Sequence, residues 1–260
     1  MLNRELKKHV LNALQQGLRY DNRGMDEYRE ITVEMGISKN AEGSARVKIG
    51  GTEVLAGVKM AVEKPYPDRP NDGMLMVNVE LTPLSSPDFE SGPPRDDAIE
   101  IARVTDRGIR ESKAIDLTKL NLVPGEKSWS VMIDLVSIND EGNLLDASAL
   151  AAMAAIINTR MPGLTDKQTV DYKTHTNNKL PLNDFPVAIT VFRIGDKLIV
   201  DPLLDEIEAM DARLTITSME DGTICAMQKG GEGSFSLEQI EEMLNIAQRK
   251  AAELRSKVKR

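Results

Sequence analysis

Arg103, Arg107 and Arg110 fall at i, i+4 and i+7 of A-I-E-I-A-R-V-T-D-R-G-I-R (98–110). That stretch reads as a helix, so the three guanidinium groups share one helical face. Planar, permanently charged forks suit oxyanions, above all backbone phosphates. Two acids compete for them. Glu100 stands three residues before Arg103, and Asp106 four before Arg110, so the same residues also compose a salt-bridged surface face. The helix alone leaves both readings open.

Elsewhere the chemistry is thinner. Asp201, Asp205, Glu206, Glu208 and Asp211 follow an expected strand, where paired carboxylates can bind a metal or exchange protons; they read equally as solvated loop charges. The run K-G-G-E-G-S (229–234) precedes a helix and can cradle an anion. It lacks the G-K-[ST] ending of a phosphate loop, and Glu232 repels phosphate, so it reads as a plain connection. His9 and His175 are the only histidines, and neither has metal-ligand spacing to another ligand. A zinc site and a Ser-His-Asp triad are thereby disfavoured. Cys225, the single cysteine, excludes an intrachain disulfide, suits a cytosolic chain, and is expected as a small hydrophobe in a buried strand.

The whole chain bounds these options. Its 260 residues carry a formal charge of -8, with 28% charged and 41% apolar residues, as in a soluble globular protein. Indiscriminate polyanion binding is disfavoured by that sign, although a local basic cleft can oppose it. Only 3% of residues are aromatic, so base-stacking platforms are not expected to dominate. No apolar run approaches the roughly 20 residues needed to span a bilayer. The first residues, M-L-N-R-E-L-K-K-H-V-L, mix charge with helical apolar spacing and do not read as a signal peptide.

Elements that must position the arginines can be read from periodicity. Leu6, Val10, Ala13 and Leu14 predict a helix ended by Gly17, and residues 17–29 an extended, charged arm. Ala45, Val47 and Ile49 predict a strand, Gly50-Gly51 a hairpin turn into 52–62, and Leu75, Val77, Val79 and Leu81 a further strand. Three prolines exclude regular structure at 65–73. Trp129, Val131, Ile133 and Leu135 alternate in another strand. Asp146 is placed to cap an alanine-rich helix that is apolar on nearly every side and should lie deep against a sheet. Strands are expected near 187–194, 197–201, 212–218 and 223–228, with Asp221-Gly222 as a hairpin turn. A final helix starts at Ser236 with a capping box, its apolar stripe being Leu237, Ile240, Leu244, Ala247, Ala251 and Leu254. Strands followed by a helix thus occur twice, which predicts an α/β (α+β) protein of two similar halves.

The motifs carry a resemblance. G-L-R-Y-D-N-R (17–23) with Arg29, and G-S-A-R-V-K-I-G-G-T-E-V-L-A-G-V-K (43–59), resemble the start of the ribonuclease PH family. F-E-S-G-P-P, A-R-V-T-D-R, D-L-T-K-L, G-N-L-L-D-A, K-L-P-L-N and V-D-P-L-L-D-E narrow it to the non-catalytic ring subunits of archaeal exosomes. The resemblance implies a ribonuclease PH fold of two βαβα-type halves with mixed sheets and packed helices. Its segments would be an N-terminal helix and arm (1–30), a first half (31–180) and a second half with the long helix (181–260). It also implies a cytoplasmic protein without a cofactor, paired with an active ribonuclease PH-type subunit. Three such heterodimers would close a hexameric ring around single-stranded RNA, beneath a trimeric RNA-binding cap.

Active relatives degrade RNA from its 3′ end with inorganic phosphate, which a D-x-G-[ST]-R loop holds. The matching residues here are Asp140, Glu141, Gly142, Asn143 and Leu144, a degenerate phosphate loop. Leucine cannot bind phosphate and Glu141 opposes a dianion. Active relatives also carry two aspartates six apart; Asp201 matches the first, but Ile207 holds the sixth position, and Asp205 serves only if the loop is shortened. By resemblance, then, no catalytic residue is expected, and Arg103 and Arg107, with Arg110 as a third candidate, reach RNA beside the partner's active site. The rival is a phosphorolytic exoribonuclease in its own right, using Asp201 and Asp205. A metal-dependent small-molecule enzyme built on the acidic loop is the third reading.

Overall fold

Alternating side chains build the first sheet. Strands β1 (Ile31–Met35), β2 (Gly43–Ile49), β3 (Thr52–Glu63), β4 (Met74–Glu80), β5 (Asn121–Val123) and β6 (Lys127–Asn139) form it in the order β1-β2-β3-β6-β4, with β5 on β6. The chain is described from a computed structural model covering residues 2–258, without the side chains of residues 2–4, 173 and 175. Ala45, Val47 and Ile49 point inward as expected, and Ile49 pairs with Thr52 across the two-residue Gly50-Gly51 turn. β4 runs parallel to β6, with helix α2 (Asp96–Glu111) in the connection between them. The other pairings are antiparallel.

Strands β9 (Val187–Ile194), β10 (Lys197–Val200), β11 (Ala212–Ser218) and β12 (Ile224–Gly230) make a second, antiparallel sheet ordered β10-β9-β11-β12. Helix α3 (Leu144–Asn158) lies between the two sheets, against β2, β3 and β9. Every residue from Leu144 to Ile156 is buried, which is why this segment shows no polar face in sequence. Its approach to β2 is close: a Cβ on Gly43 would stand 2.4 Å from the Ala155 carbonyl oxygen. One hydrophobic core therefore joins both halves, including Ile133, Ile156, Ile189, Ile216 and Met243. A smaller cluster seats Val10 and Leu14 of α1 (Leu2–Gln15) on Phe192, Ile194 and Ile199.

Three expectations need correction. Asp146 does not cap α3; Asn143 stands at the N-cap, and Asp146 lies in the first turn, facing inward. On the last helix, α5 (Leu237–Lys257), the Ser236 capping box forms, but Leu237 is exposed. The buried stripe is Met243, Ile246, Ala247, Ala251 and Leu254; six residues before Met243, Leu237 points about 120° away from it. Asp221-Gly222 lies in the turn of the β11–β12 hairpin as expected, where Met219 donates to the Thr223 carbonyl. Cys225 is on a strand but only half-buried, because β12 is the edge of its sheet.

Several elements have no counterpart in the sequence reading. Among them are β1, β5, the β7 (Arg160–Leu164) and β8 (Val170–Lys179) hairpin, and the short α4 (Leu204–Ala209).

Candidate nucleic-acid interface

Helix α2 follows the Pro93-Pro94 loop and buries Ala98, Ile101, Val104, Thr105, Gly108 and Ile109. Gly108 lets it settle on β11, since a Cβ there would already be 3.1 Å from Thr217 Cγ2. With that face turned inward, Arg103 and Arg107 are forced outward and are exposed. Arg110 is half-buried. Its Nη2 donates to Asp106 Oδ1 at 2.6 Å and to the Leu75 carbonyl at 3.0 Å, so it ties α2 to β4. The three arginines share a helix face by spacing, yet they differ in what they touch.

Glu100 does not neutralise Arg103. It accepts from Arg213 Nη2 of β11 at 2.7 Å instead, and Arg103 makes no hydrogen bond or ion pair among the described residues. Arg107 Nη1 donates to Gln228 Oε1 at 3.1 Å. Between α2 and β12 runs an open groove of about 510 Å³, lined by Arg103, Arg107, Lys229 and the Gly230-Gly231 backbone, with Asp96 and Glu100 toward one end. Among the described residues it combines two exposed arginines and one exposed lysine on a chain of negative net charge.

The loop at 140–144 is packed and internally bonded. Thr52 Oγ1 accepts from the Glu141 amide at 3.0 Å and donates to the Gly142 carbonyl at 2.6 Å. The Gly142 amide donates to Asp140 Oδ1 at 2.8 Å and the Asp140 amide to the Ser85 carbonyl at 3.0 Å, so three of the loop's N–H groups are already engaged. Arg29 donates to the Glu141 and Gly142 carbonyls at 2.9 and 3.0 Å. Asn143 adopts a left-handed φ of 62°, which Asn tolerates, and its Nδ2 bridges Asp146 Oδ2 and Asp201 Oδ1 at 3.1 Å each. Leu144 turns into a hollow of about 220 Å³ with Phe89, Ile101 and Ile207. Burial pushes the Asp140 carboxyl up.

The acidic cluster disperses in space. Asp201 is fully buried and accepts from Arg23 Nη1 at 2.9 Å and from Arg29 Nε and Nη2 at 2.9 and 2.7 Å. Glu206 is buried against Arg19, whose Nε and Nη2 donate to it at 2.9 and 2.6 Å. Asp211 takes Lys7 and the Gly195 amide, while Asp205 and Glu208 are exposed on α4. Among the described residues no three His, Cys, Asp or Glu side chains are placed to hold a metal ion. The His175 side chain lies outside the described residues. What the sequence reading missed is the job of the arm: Arg19, Arg23 and Arg29 clamp it to the segment 200–206 of the second half. No local pattern pairs residues that far apart.

Asp146 is the other buried acid. Its Oδ1 accepts from the Thr190 amide at 2.9 Å and Thr190 Oγ1 at 2.7 Å, and its Oδ2 from Tyr28 Oη at 2.6 Å. Burial outweighs these donors and pushes its carboxyl up to about 7. The folded state therefore holds this proton where the unfolded chain releases it. Stability from this group is greatest below about pH 4 and falls as pH rises toward 7. Urea unfolding at several pH values should show the difference between wild type and Asp146→Asn changing across that window. A pH-independent difference would contradict the assignment.

Known proteins resemble the chain along nearly its whole length. Domain 1 of the 3′ exoribonuclease family, RNase PH, matches residues 27–162, and domain 2 matches residues 184–250. The exosome complex component Rrp42 of Pyrococcus abyssi is 46% identical over 252 residues, covering 96% of this chain and 92% of the relative. That of Archaeoglobus fulgidus is 46% identical over 253 residues, covering 97% and 95%. Among solved structures, a chain of the Archaeoglobus fulgidus exosome with RNA bound to the active site superposes with a TM-score of 0.92 at 44% identity, covering 99% of both chains. An archaeal exosome core chain gives a TM-score of 0.87 at 40% identity, covering 100% and 98%. No helix among the described residues is long and apolar enough to cross a membrane.

Proposed function

Because this chain belongs to the 3′ exoribonuclease family of RNase PH, we propose that it is a non-catalytic ring subunit of an exosome-type RNA-degrading complex. It pairs with an active ribonuclease PH-type subunit, three pairs closing a hexameric cytoplasmic ring under a trimeric RNA-binding cap. Residues 31–180 and 181–260 are the two halves that build this subunit's share of the ring. In the ring it shapes the partner's active site and lends Arg103 and Arg107 to the phosphates of single-stranded RNA. Arg110 contributes indirectly, by fixing α2 on β4 through Asp106 and Leu75.

One observation carries the reading. The family's phosphate loop is here a closed, internally bonded turn ending in Leu144, while on α2 Arg103 is exposed and unpaired among the described residues and Arg107 is exposed with Gln228 as a neutral partner. Phosphoryl transfer relies on positioning and charge stabilisation, and a hydrocarbon side chain supplies neither. The names of the relatives, exosome components and exosome cores, support the same assembly.

The isolated chain, given single-stranded RNA, magnesium and inorganic phosphate, should release no nucleoside diphosphates. Adding a homologous active subunit should start 3′-end shortening. Robust phosphorolysis by the chain alone would sink the proposal.

A further inference from the structure

We propose that Arg213 is a positioning residue for RNA binding, which keeps Arg103 available by holding the Glu100 carboxylate in an ion pair with β11. The inference deepens the reading above and rests on it. Glu100 lies three residues before Arg103, a spacing at which the two side chains would pair on an isolated helix. In the fold they do not. Arg213 Nη2 takes Glu100 Oε2 at 2.7 Å, and both side chains are largely withdrawn from solvent, with 14% and 28% exposure. Arg103 is left without a partner among the described residues, facing the groove between α2 and β12.

The seat of Arg213 is built into the second sheet. Arg213 of β11 pairs in register with Gly230 of β12, and its guanidinium lies over that glycine. A Cβ on Gly230 would fall 1.4 Å from Arg213 Nη1, so any larger residue must displace the guanidinium. Gly230 does not adopt a left-handed φ, so the requirement here is space and not backbone freedom. Held by Arg213, the Glu100 carboxylate makes no ion pair with Arg103. Without Arg213, a half-buried Glu100 would turn to Arg103 as the nearest cation along the helix, and would also repel an incoming phosphate.

The test uses the complex reconstituted with a homologous active subunit, in phosphate-free buffer, with a labelled single-stranded RNA followed by anisotropy across a salt series. Arg103→Ala checks the underlying reading and should lower the slope of log K against log salt by about 0.7, one phosphate contact. Arg213→Met should weaken binding about threefold at low salt and lower the slope in the same direction. Glu100→Gln/Arg213→Met should restore both, and Arg213→Lys, which keeps the ion pair, should bind as wild type. Arg213→Met should add nothing in an Arg103→Ala background. Should the methionine variant fail to assemble, Gly230→Ala poses the same question by displacing Arg213, again with rescue by Glu100→Gln.

If Arg103→Ala has no effect, the RNA-binding reading falls and the inference with it. If Arg103→Ala weakens binding but Arg213→Met and Gly230→Ala do not, only the inference falls. Loss that persists in the Glu100→Gln double variants, or that adds fully to Arg103→Ala, would also overturn it.

Discussion

Arg19→Met should lower the thermal midpoint of the isolated chain by about 6–20 °C. Arg19 is 3% exposed, and its partner Glu206 1%. Its guanidinium donates to both Glu206 oxygens and to the Val200 and Asp201 carbonyls at 3.0 and 2.8 Å. Removing one member of such a buried pair strands the other charge away from water, which costs about 3–5 kcal/mol. For a chain of this length each kcal/mol is about 2–4 °C. The pair itself need not be worth that much, since its own burial was costly. Arg19→Met/Glu206→Leu should therefore recover most of the loss, because no orphaned charge remains. Calorimetry on the three chains decides. A single variant that melts within about 2 °C of wild type would show that water reaches Glu206.

Arg103→Ala/Arg107→Ala, in the assembled complex, should weaken single-stranded RNA binding about thirtyfold at moderate salt. That magnitude takes each exposed charge-assisted contact at about 1 kcal/mol, below the range for buried ones. The salt slope should fall by about 1.4, two phosphates at about 0.7 each, and the loss should be the same for RNAs of unrelated sequence. Arg110→Ala makes the informative contrast. Its guanidinium is bound to Asp106 and the Leu75 carbonyl, so its removal should cost stability while leaving the slope unchanged. If all three variants lowered the slope equally, Arg110 would be reaching RNA and the ion pair with Asp106 would have to open. If none did, α2 would be structural only.

The difference between those arginines shows where reading the chain succeeds and stops. Spacing alone placed Arg103, Arg107 and Arg110 on one helix, and the alternation of Ala45, Val47 and Ile49 placed a strand, since backbone geometry fixes which near neighbours share a face. The unbroken apolar run of α3 announced a helix covered on all sides. Asp146 was legible as a residue near the start of that helix, but not as a buried acid. Nothing nearby in sequence marks Tyr28 and Thr190 as its donors. The acids from Asp201 to Asp211 looked like one cluster and point to different arginines and lysines.

Sequence by itself determined most of the elements, the repeated order of strands and helix, and the placing of the arginines on one helix. All of these follow from residue type and separations of a few positions, over which the backbone sets geometry. Only the tertiary structure decided which charges are free. Glu100 was equally able to pair along its helix with Arg103 or across the sheet with Arg213, 113 residues away. The choice follows from packing: glycine at 230 leaves the space that the Arg213 guanidinium fills, since a Cβ there would fall 1.4 Å from its Nη1.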